Sequence, residues 1–187
     1  MFFIYNIFLI IILLFSPIIT IIRIILGKED QARFKEKYGF LAKKNKLNKT
    51  IWIHGASVGE ILSIIPIIKR LEMDKKIEQV LITSSTTSSS YILSKYKFKK
   101  AVHQFYPFDL NFITKHFINH WKPKLAIFVD SEIWPNMFNN LHKKNIPIIL
   151  LNARITKKSF NRWKFFPNFS KKIFQKITIA LPQNMES

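Results

Sequence analysis

The sequence predicts an α/β fold, a doubly wound parallel sheet preceded by an apolar N-terminal helix that anchors the chain in a membrane. Three observations predict it. From residue 49 on, short apolar runs alternate with amphipathic segments. Residues 2–22 contain no charged side chain. Small, polar and acidic residues gather just after the apolar runs, which is where a sheet of this kind binds its ligands.

Composition narrows the classes. The 187 residues are 48% hydrophobic and 14% aromatic, which excludes a disordered or collagen-like chain. Cysteine is absent, so disulfide scaffolds, thiolate zinc sites and cysteine nucleophiles are excluded. Thirty Lys and Arg against eleven Asp and Glu give a net charge of +19. That balance implies a polyanionic neighbour, either nucleic acid or an anionic membrane surface.

The run 2–22 is interrupted only by the polar residues Tyr5, Asn6, Ser16 and Thr20. About 20 such residues in a helix cover a hydrocarbon core of roughly 30 Å. A secretory signal peptide fits poorly, because no basic segment precedes the run and no small-x-small site comes after it. A buried core helix is rarely apolar on all faces at the extreme N-terminus. Pro17 permits a kink, so a spanning helix and one lying partly in the interface both stay open. Residues 27–50 then carry eight Lys or Arg and three acids, a net +5. The positive-inside rule places the remainder of the chain in the cytoplasm, and the cluster suits an anionic leaflet. The expected organisation is an anchor over 1–26, a basic juxtamembrane segment over 27–50 and an α/β domain over 51–187.

Within that domain the apolar runs predict strands at 51–54, 79–83, 101–105, 125–129, 148–151 and 177–180. The segments between them predict helices at 59–73, 88–96, 110–121, 134–144 and 156–174, the last interrupted at Pro167. Strand and helix alternating at this spacing imply parallel strands with helices on both faces.

The first strand ends in His54-Gly55-Ala56-Ser57-Val58-Gly59-Glu60, which holds two of the four glycines. The next helix opens there and points free N–H groups at the same place. Glu60 admits two readings, a partner of the helix dipole or a general base with a desolvated, raised pKa. Residues 55–59 also match G-x-S-x-G, a serine nucleophile elbow with Ser57 as nucleophile. Its partners would be Asp109 or Asp130 with His116, His120 or His142. The fourth strand leads into Asp130-Ser131-Glu132-Ile133-Trp134-Pro135-Asn136. Two acids this close in so basic a chain point to a functional cluster. The plainer alternative is a cap on the helix that Pro135 opens. The fifth strand leads into Asn152-Ala153-Arg154. Residues 154–176 then carry eight positive charges and no acid, with Trp163, Phe165, Phe166 and Phe169 interleaved. That pattern suits a solvated helix face, a membrane-surface helix or a nucleic-acid patch. Residues 84–90 are all Ser or Thr, either a phosphate-binding turn or an N-cap run.

Taken in order and spacing, the segments 52–60, 130–136 and 152–154 resemble the Kdo (3-deoxy-D-manno-octulosonic acid) transferases of Gram-negative bacteria. The stretch 33–40 ending Lys37-Tyr38-Gly39-Phe40, the segment 106–110 and the apolar N-terminus are similar to that family too. The resemblance implies an inverting, metal-independent GT-B glycosyltransferase of two Rossmann-like domains. It moves Kdo from CMP-Kdo to the lipid A precursor, lipid IVA, at the cytoplasmic face of the inner membrane. Glu60 matches the family's proton acceptor. Asp130 matches a transition-state-stabilising acid that is usually Glu, so its side chain is one methylene shorter. Glu132, Ser57 and Arg154 match supporting positions. No cofactor and no nucleic-acid partner are implied. The family's second, CMP-binding domain would come after residue 187, so the expectation is an acceptor-binding half that is inactive alone. The alternatives are a membrane-anchored serine hydrolase and a basic module binding membrane or nucleic acid.

Overall fold

The computed structural model describes residues 1–41 and 49–184. Lys43, Lys44 and Lys46 of the expected juxtamembrane cluster therefore lie outside the described residues. The elements in chain order are α1 (Phe2–Ile25), a 3-10 turn (Phe34–Tyr38), β1 (Thr50–His54), α2 (Val58–Met73), β2 (Gln79–Ser84), α3 (Thr87–Ser94) and β3 (Ala101–Phe105). Next come α4 (Asn111–Trp121), β4 (Pro123–Val129), α5 (Pro135–Lys143), β5 (Ile148–Ala153), α6 (Lys157–Lys164), α7 (Pro167–Phe174) and β6 (Ile179–Pro182).

Among the described residues the six strands form one sheet in the order β3-β2-β1-β4-β5-β6, parallel throughout. The chain winds outward from β1 through β2 to β3. It then returns across the sheet through α4 and winds the other way from β4. Right-handed crossovers in opposite directions place their helices on opposite faces. The order reverses between β1 and β4, and a crevice opens there at the carboxyl ends of the strands.

Strand alternation divides the core. Trp52 points to one face and Ile53 to the other, and both are fully buried. On the first face Trp52, Phe128, Phe117, Trp121, Phe138 and Ile173 pack strands against α4, α5 and α7. On the second, Ile53, Val80, Ile82 and Val129 meet Ile61, Ile64, Ile65 and Ile68 of α2 and Leu93 of α3. In α2 the residues Ile61, Ile64, Ile65 and Ile68 repeat at threes and fours, which gives one apolar stripe. The doubly wound α/β reading is thus what the chain forms. Element ends differ by one or two residues. β6 starts late because the amide of Ile177 is spent on Phe174 O, closing a turn after α7.

Two features join the N-terminal segments to the α/β body. The 3-10 turn packs against it. The Glu36 carboxylate accepts the Phe105 amide at 2.7 Å, and Arg33 donates to His103 O at 2.9 Å. Gly39 ends the turn at φ 98, where glycine alone is at ease. In addition, α1 continues through Pro17 as one helix and lies against the body near both ends. Tyr5 Oη donates to Asp109 Oδ2 at 2.8 Å, and Thr20 Oγ1 and Tyr38 Oη share a hydrogen bond of 2.8 Å.

Candidate active site at the β1–β4 switch point

The loop after β1 turns tightly. A Cβ on Gly55 would meet Glu60 Cβ at 3.2 Å and Ile61 Cδ1 at 3.3 Å, so any larger residue would push the start of α2 away by a few tenths of an ångström. Gly59 faces open space, and no such demand applies there. Ser57 is the N-cap of α2. Its Oγ accepts the Glu60 amide at 3.3 Å and donates to Glu60 Oε1 at 2.7 Å. The Ala56 amide donates to Glu60 Oε2 at 2.8 Å. This reciprocal arrangement resembles a capping box, with Glu60 reaching the amide of Ala56 in place of that of the N-cap Ser57. It holds the half-buried Glu60 carboxylate at the mouth of the crevice.

Ser57 does not have the geometry of a hydrolase nucleophile. Its φ of −107 is ordinary extended backbone, whereas a nucleophile elbow is strained. Its hydroxyl engages Glu60 and no histidine among the described residues. His142 lies in the last turn of α5, at the opposite edge of the sheet from Ser57. Asp109 is fully committed elsewhere. The serine hydrolase alternative is therefore corrected by the geometry.

The loops after β4 and β5 complete the crevice. Asp130 has φ 62 and Asn152 has φ 52. Left-handed backbone is uncommon outside glycine, and Asp and Asn tolerate it best. That gives a physical reason for Asp rather than the longer Glu at position 130. The Asp130 amide donates to Leu151 O at 2.9 Å and ties the two loops together. Ser131 Oγ donates to Asp130 Oδ1 at 2.6 Å. Arg154 Nε stands 3.9 Å from the same oxygen, a loose pair with a half-exposed guanidinium. Glu132 accepts from Trp134 Nε1 at 2.9 Å.

His54 is the residue that sequence reasoning missed. It is fully buried, with its ring centroid 4.0 Å from that of Tyr106. Trp52 Nε1 donates to Thr83 Oγ1 at 2.9 Å. His54 Nδ1 stands 2.9 Å from that hydroxyl and 3.2 Å from the Thr83 carbonyl oxygen. On the other side of the ring, His54 Nε2 faces the Glu132 carboxylate, which can only accept, and donates to Oε2 at 3.3 Å. A buried polar chain thus runs from the sheet to the crevice and fixes Glu132. The only signal in the sequence was a histidine at the end of an apolar strand.

Asp109 plays a structural part. It is fully buried and accepts the amides of Asn136 and Met137 at 2.9 and 2.8 Å. It thereby caps α5 from a distant loop, while Tyr5 binds it from α1. Burial pushes its carboxyl up to about 7, against the hydrogen bonds that favour the charge. The 84–90 run is an N-cap run. Thr86 Oγ1 accepts the Ser89 amide at 3.2 Å, and Ser84 Oγ pairs with His103 Nε2 at 2.9 Å. No group of three His, Asp or Glu capable of holding a metal occurs among the described residues. The basic segment after β5 forms two helices, with Phe169 of α7 edge-on to Phe2 at 5.0 Å.

The chain is similar to known proteins. A family model described as 3-deoxy-D-manno-octulosonic-acid transferase (kdotransferase) matches residues 32–187. The 3-deoxy-D-manno-octulosonic acid transferase of Rickettsia bellii is 40% identical over 166 residues, covering 84% of this chain and 40% of the relative. That of Haemophilus influenzae is 33% identical over 132 residues, 70% of this chain and 31% of the relative. A probable mitochondrial counterpart in Arabidopsis thaliana is 34% identical over 137 residues, 73% of this chain and 31% of the relative. The chain thus spans at most about 40% of the length of these relatives. Among solved structures, UDP-GlcNAc 2-epimerase from Neisseria meningitidis bound to UDP-GlcNAc superposes with a TM-score of 0.50 at 14% identity, over 72% of this chain and 39% of that one. That likeness concerns the fold.

Proposed function

Because the chain belongs to the Kdo transferase family, we propose that it forms the acceptor side of an inverting transfer of Kdo from CMP-Kdo to lipid IVA. The observation that carries the reading is the gathering of Glu60, in the first turn of α2, with Asp130, Glu132 and Arg154 on the loops after β4 and β5, all flanking the switch point where such sheets bind ligands. A sugar hydroxyl of the acceptor enters the crevice beside Glu60. Its oxygen attacks the anomeric carbon of Kdo, its proton passes to the Glu60 carboxylate, and the bond to the CMP phosphate breaks with the electron pair leaving on phosphate. A base positioned at the attacking hydroxyl contributes about 10²–10⁴-fold in rate. The developing oxocarbenium-like sugar carries positive charge, and Asp130 supplies the opposing negative charge. Arg154 steadies Asp130 from the next loop. Ser57 and the Ala56 amide aim the base.

Residues 1–26 attach the body to the inner membrane, with the α/β domain on the cytoplasmic side. The support is the apolar composition of α1, with a mean hydropathy of 2.8, and the positive charge just beyond it. An acceptor bearing phosphates suits a body of this charge.

The test measures transfer of Kdo from CMP-Kdo to lipid IVA by the purified chain, alone and with the C-terminal half of the Rickettsia bellii relative supplied separately. Lipid IVA binding by the chain, with transfer in the complemented mixture that Glu60→Gln abolishes, is the expected result. Full transfer by Glu60→Gln would overturn the assignment of the base.

A further inference from the structure

Tyr5, Asn6, Ser16 and Thr20 are the only polar residues in the 2–22 run, and all four fall on the one stripe of α1 that the body covers. Positions 5, 9, 13, 16 and 20 run down that stripe at threes and fours, one face of a single helix. Every residue of the run off the stripe is apolar. Phe8, Ile12, Phe15 and Ile19, along one flank of that uncovered surface, are 38–60% exposed.

The covered stripe is held at both ends. Near the start, Tyr5 binds Asp109, and the amides of Asn6 and Asn136 pair, with Asn136 donating to Asn6 Oδ1 at 2.9 Å. Near the end, Thr20 binds Tyr38, and Arg23 Nε meets Glu29 Oε2 at 3.2 Å. Tyr5 and Thr20 are separated by about 22 Å of helix axis, at 1.5 Å per residue. A helix that crosses the membrane puts roughly 30 Å of hydrocarbon between its ends. Here the same folded body touches both ends. Crossing would strip Tyr5 from the buried Asp109 and carry the Asn6 amide into hydrocarbon, where polar groups without partners are costly.

The rest of the surface around α1 matches a helix lying flat. Phe169 of α7 packs on Phe2 and Tyr5. The corner between α6 and α7 exposes Phe165 and Phe166 among Arg162, Lys164, Lys171 and Lys172. Apolar side chains flanked by bases suit the boundary between acyl chains and anionic headgroups.

We propose that α1 lies in the plane of one leaflet, its outer face among the acyl chains and its polar stripe against the α/β body, so that it docks on the bilayer without crossing it. This rests on the membrane location proposed above and not on the transferase chemistry. The chain lacks cysteine, so single-cysteine variants report one position each. Phe8→Cys, Ile12→Cys, Phe15→Cys and Ile19→Cys lie along one uncovered flank, at one depth in a helix lying flat, and leave the docking contacts intact. Each is labelled with a fluorophore and reconstituted in vesicles of phosphatidylethanolamine and phosphatidylglycerol. Quenching is compared for nitroxides placed near the headgroup and near the acyl-chain end. The expected result is stronger shallow quenching, with the same shallow-to-deep ratio at all four positions. A ratio that dips at Ile12, with the deep nitroxide winning there, means a spanning helix and overturns the proposal while leaving the membrane location standing. Absence of quenching at every position overturns both, and neither result touches the assignment of Glu60.

Discussion

His54 and Glu132 stand 78 positions apart in the chain, yet His54 Nε2 meets Glu132 Oε2 at 3.3 Å. The contact exists because β1 and β4 are neighbours in the sheet, with His54 opposite Phe128. It joins a fully buried imidazole to a carboxylate in the crevice. Thr83, itself bound by Trp52, holds the imidazole from behind, so the orientation of Glu132 is decided within the sheet.

Replacing His54 by Ala therefore loosens Glu132 and removes the imidazole from the Thr83 hydroxyl. The expected result is a fall in kcat of about 10–100-fold, the scale on which misplacing a positioned group acts, with a smaller change in KM. Steady-state kinetics of the complemented transferase check it. His54→Gln, which can still donate to Glu132, should recover part of the loss; equal loss in both variants would show that His54 acts through packing alone.

Ser57→Ala separates the cap from the chemistry. Losing an N-cap side chain costs about 0.5–2 kcal/mol, readable as a lower thermal midpoint. Transfer should fall far less than in Glu60→Gln, because the Ala56 amide still holds the carboxylate. A fluorophosphonate probe should leave Ser57 unlabelled; labelling would restore the hydrolase reading.

Asp109 makes stability pH-dependent. Its folded pKa of about 7 lies above the ordinary 3.8, so the folded state binds this proton more tightly than the unfolded chain. The corresponding stability is fully present below about 4 and is lost as pH rises through about 7. Thermal melts of the detergent-solubilised chain, compared with Asp109→Asn, isolate this contribution as a slope that the variant lacks. Asp109→Ala should cost roughly 1–3 kcal/mol at any pH, since it strands the buried amides of Asn136 and Met137.

His103 acts with the opposite sign. Burial, and then the Arg33 guanidinium, hold its pKa down to about 3. Arg33 Nη2 donates to Nδ1 at 3.0 Å, so the ring is an acceptor there and stays neutral. A depressed histidine contributes stability that is present above about 6.5 and is lost as pH falls toward 3. His103→Asn should flatten the acid side of the stability profile, and an unchanged acid limb would refute the assignment.

The strands and helices were legible because their signals are local. Ile51-Trp52-Ile53 alternates across a sheet, the isoleucines of α2 repeat at threes and fours, and Gly55 marks a close turn. The chemistry-bearing loops were legible for a related reason. In a parallel sheet every strand delivers its last residues to one edge, so Glu60, Asp130, Glu132 and Arg154 needed only the strand ends to be found. The apolar run was equally plain, though not its posture.

What the sequence determined by itself was therefore the doubly wound α/β fold, the edge at which the candidate site residues gather and the residue types placed there. The tertiary structure alone decided the partnerships. Nothing local to His54 names Glu132, nothing local to Asp109 names Tyr5 or the start of α5, and nothing in the apolar run says which side of α1 the body will cover. Those contacts depend on strand order and helix docking, and both are settled by burial summed over the whole core rather than by any short stretch of chain.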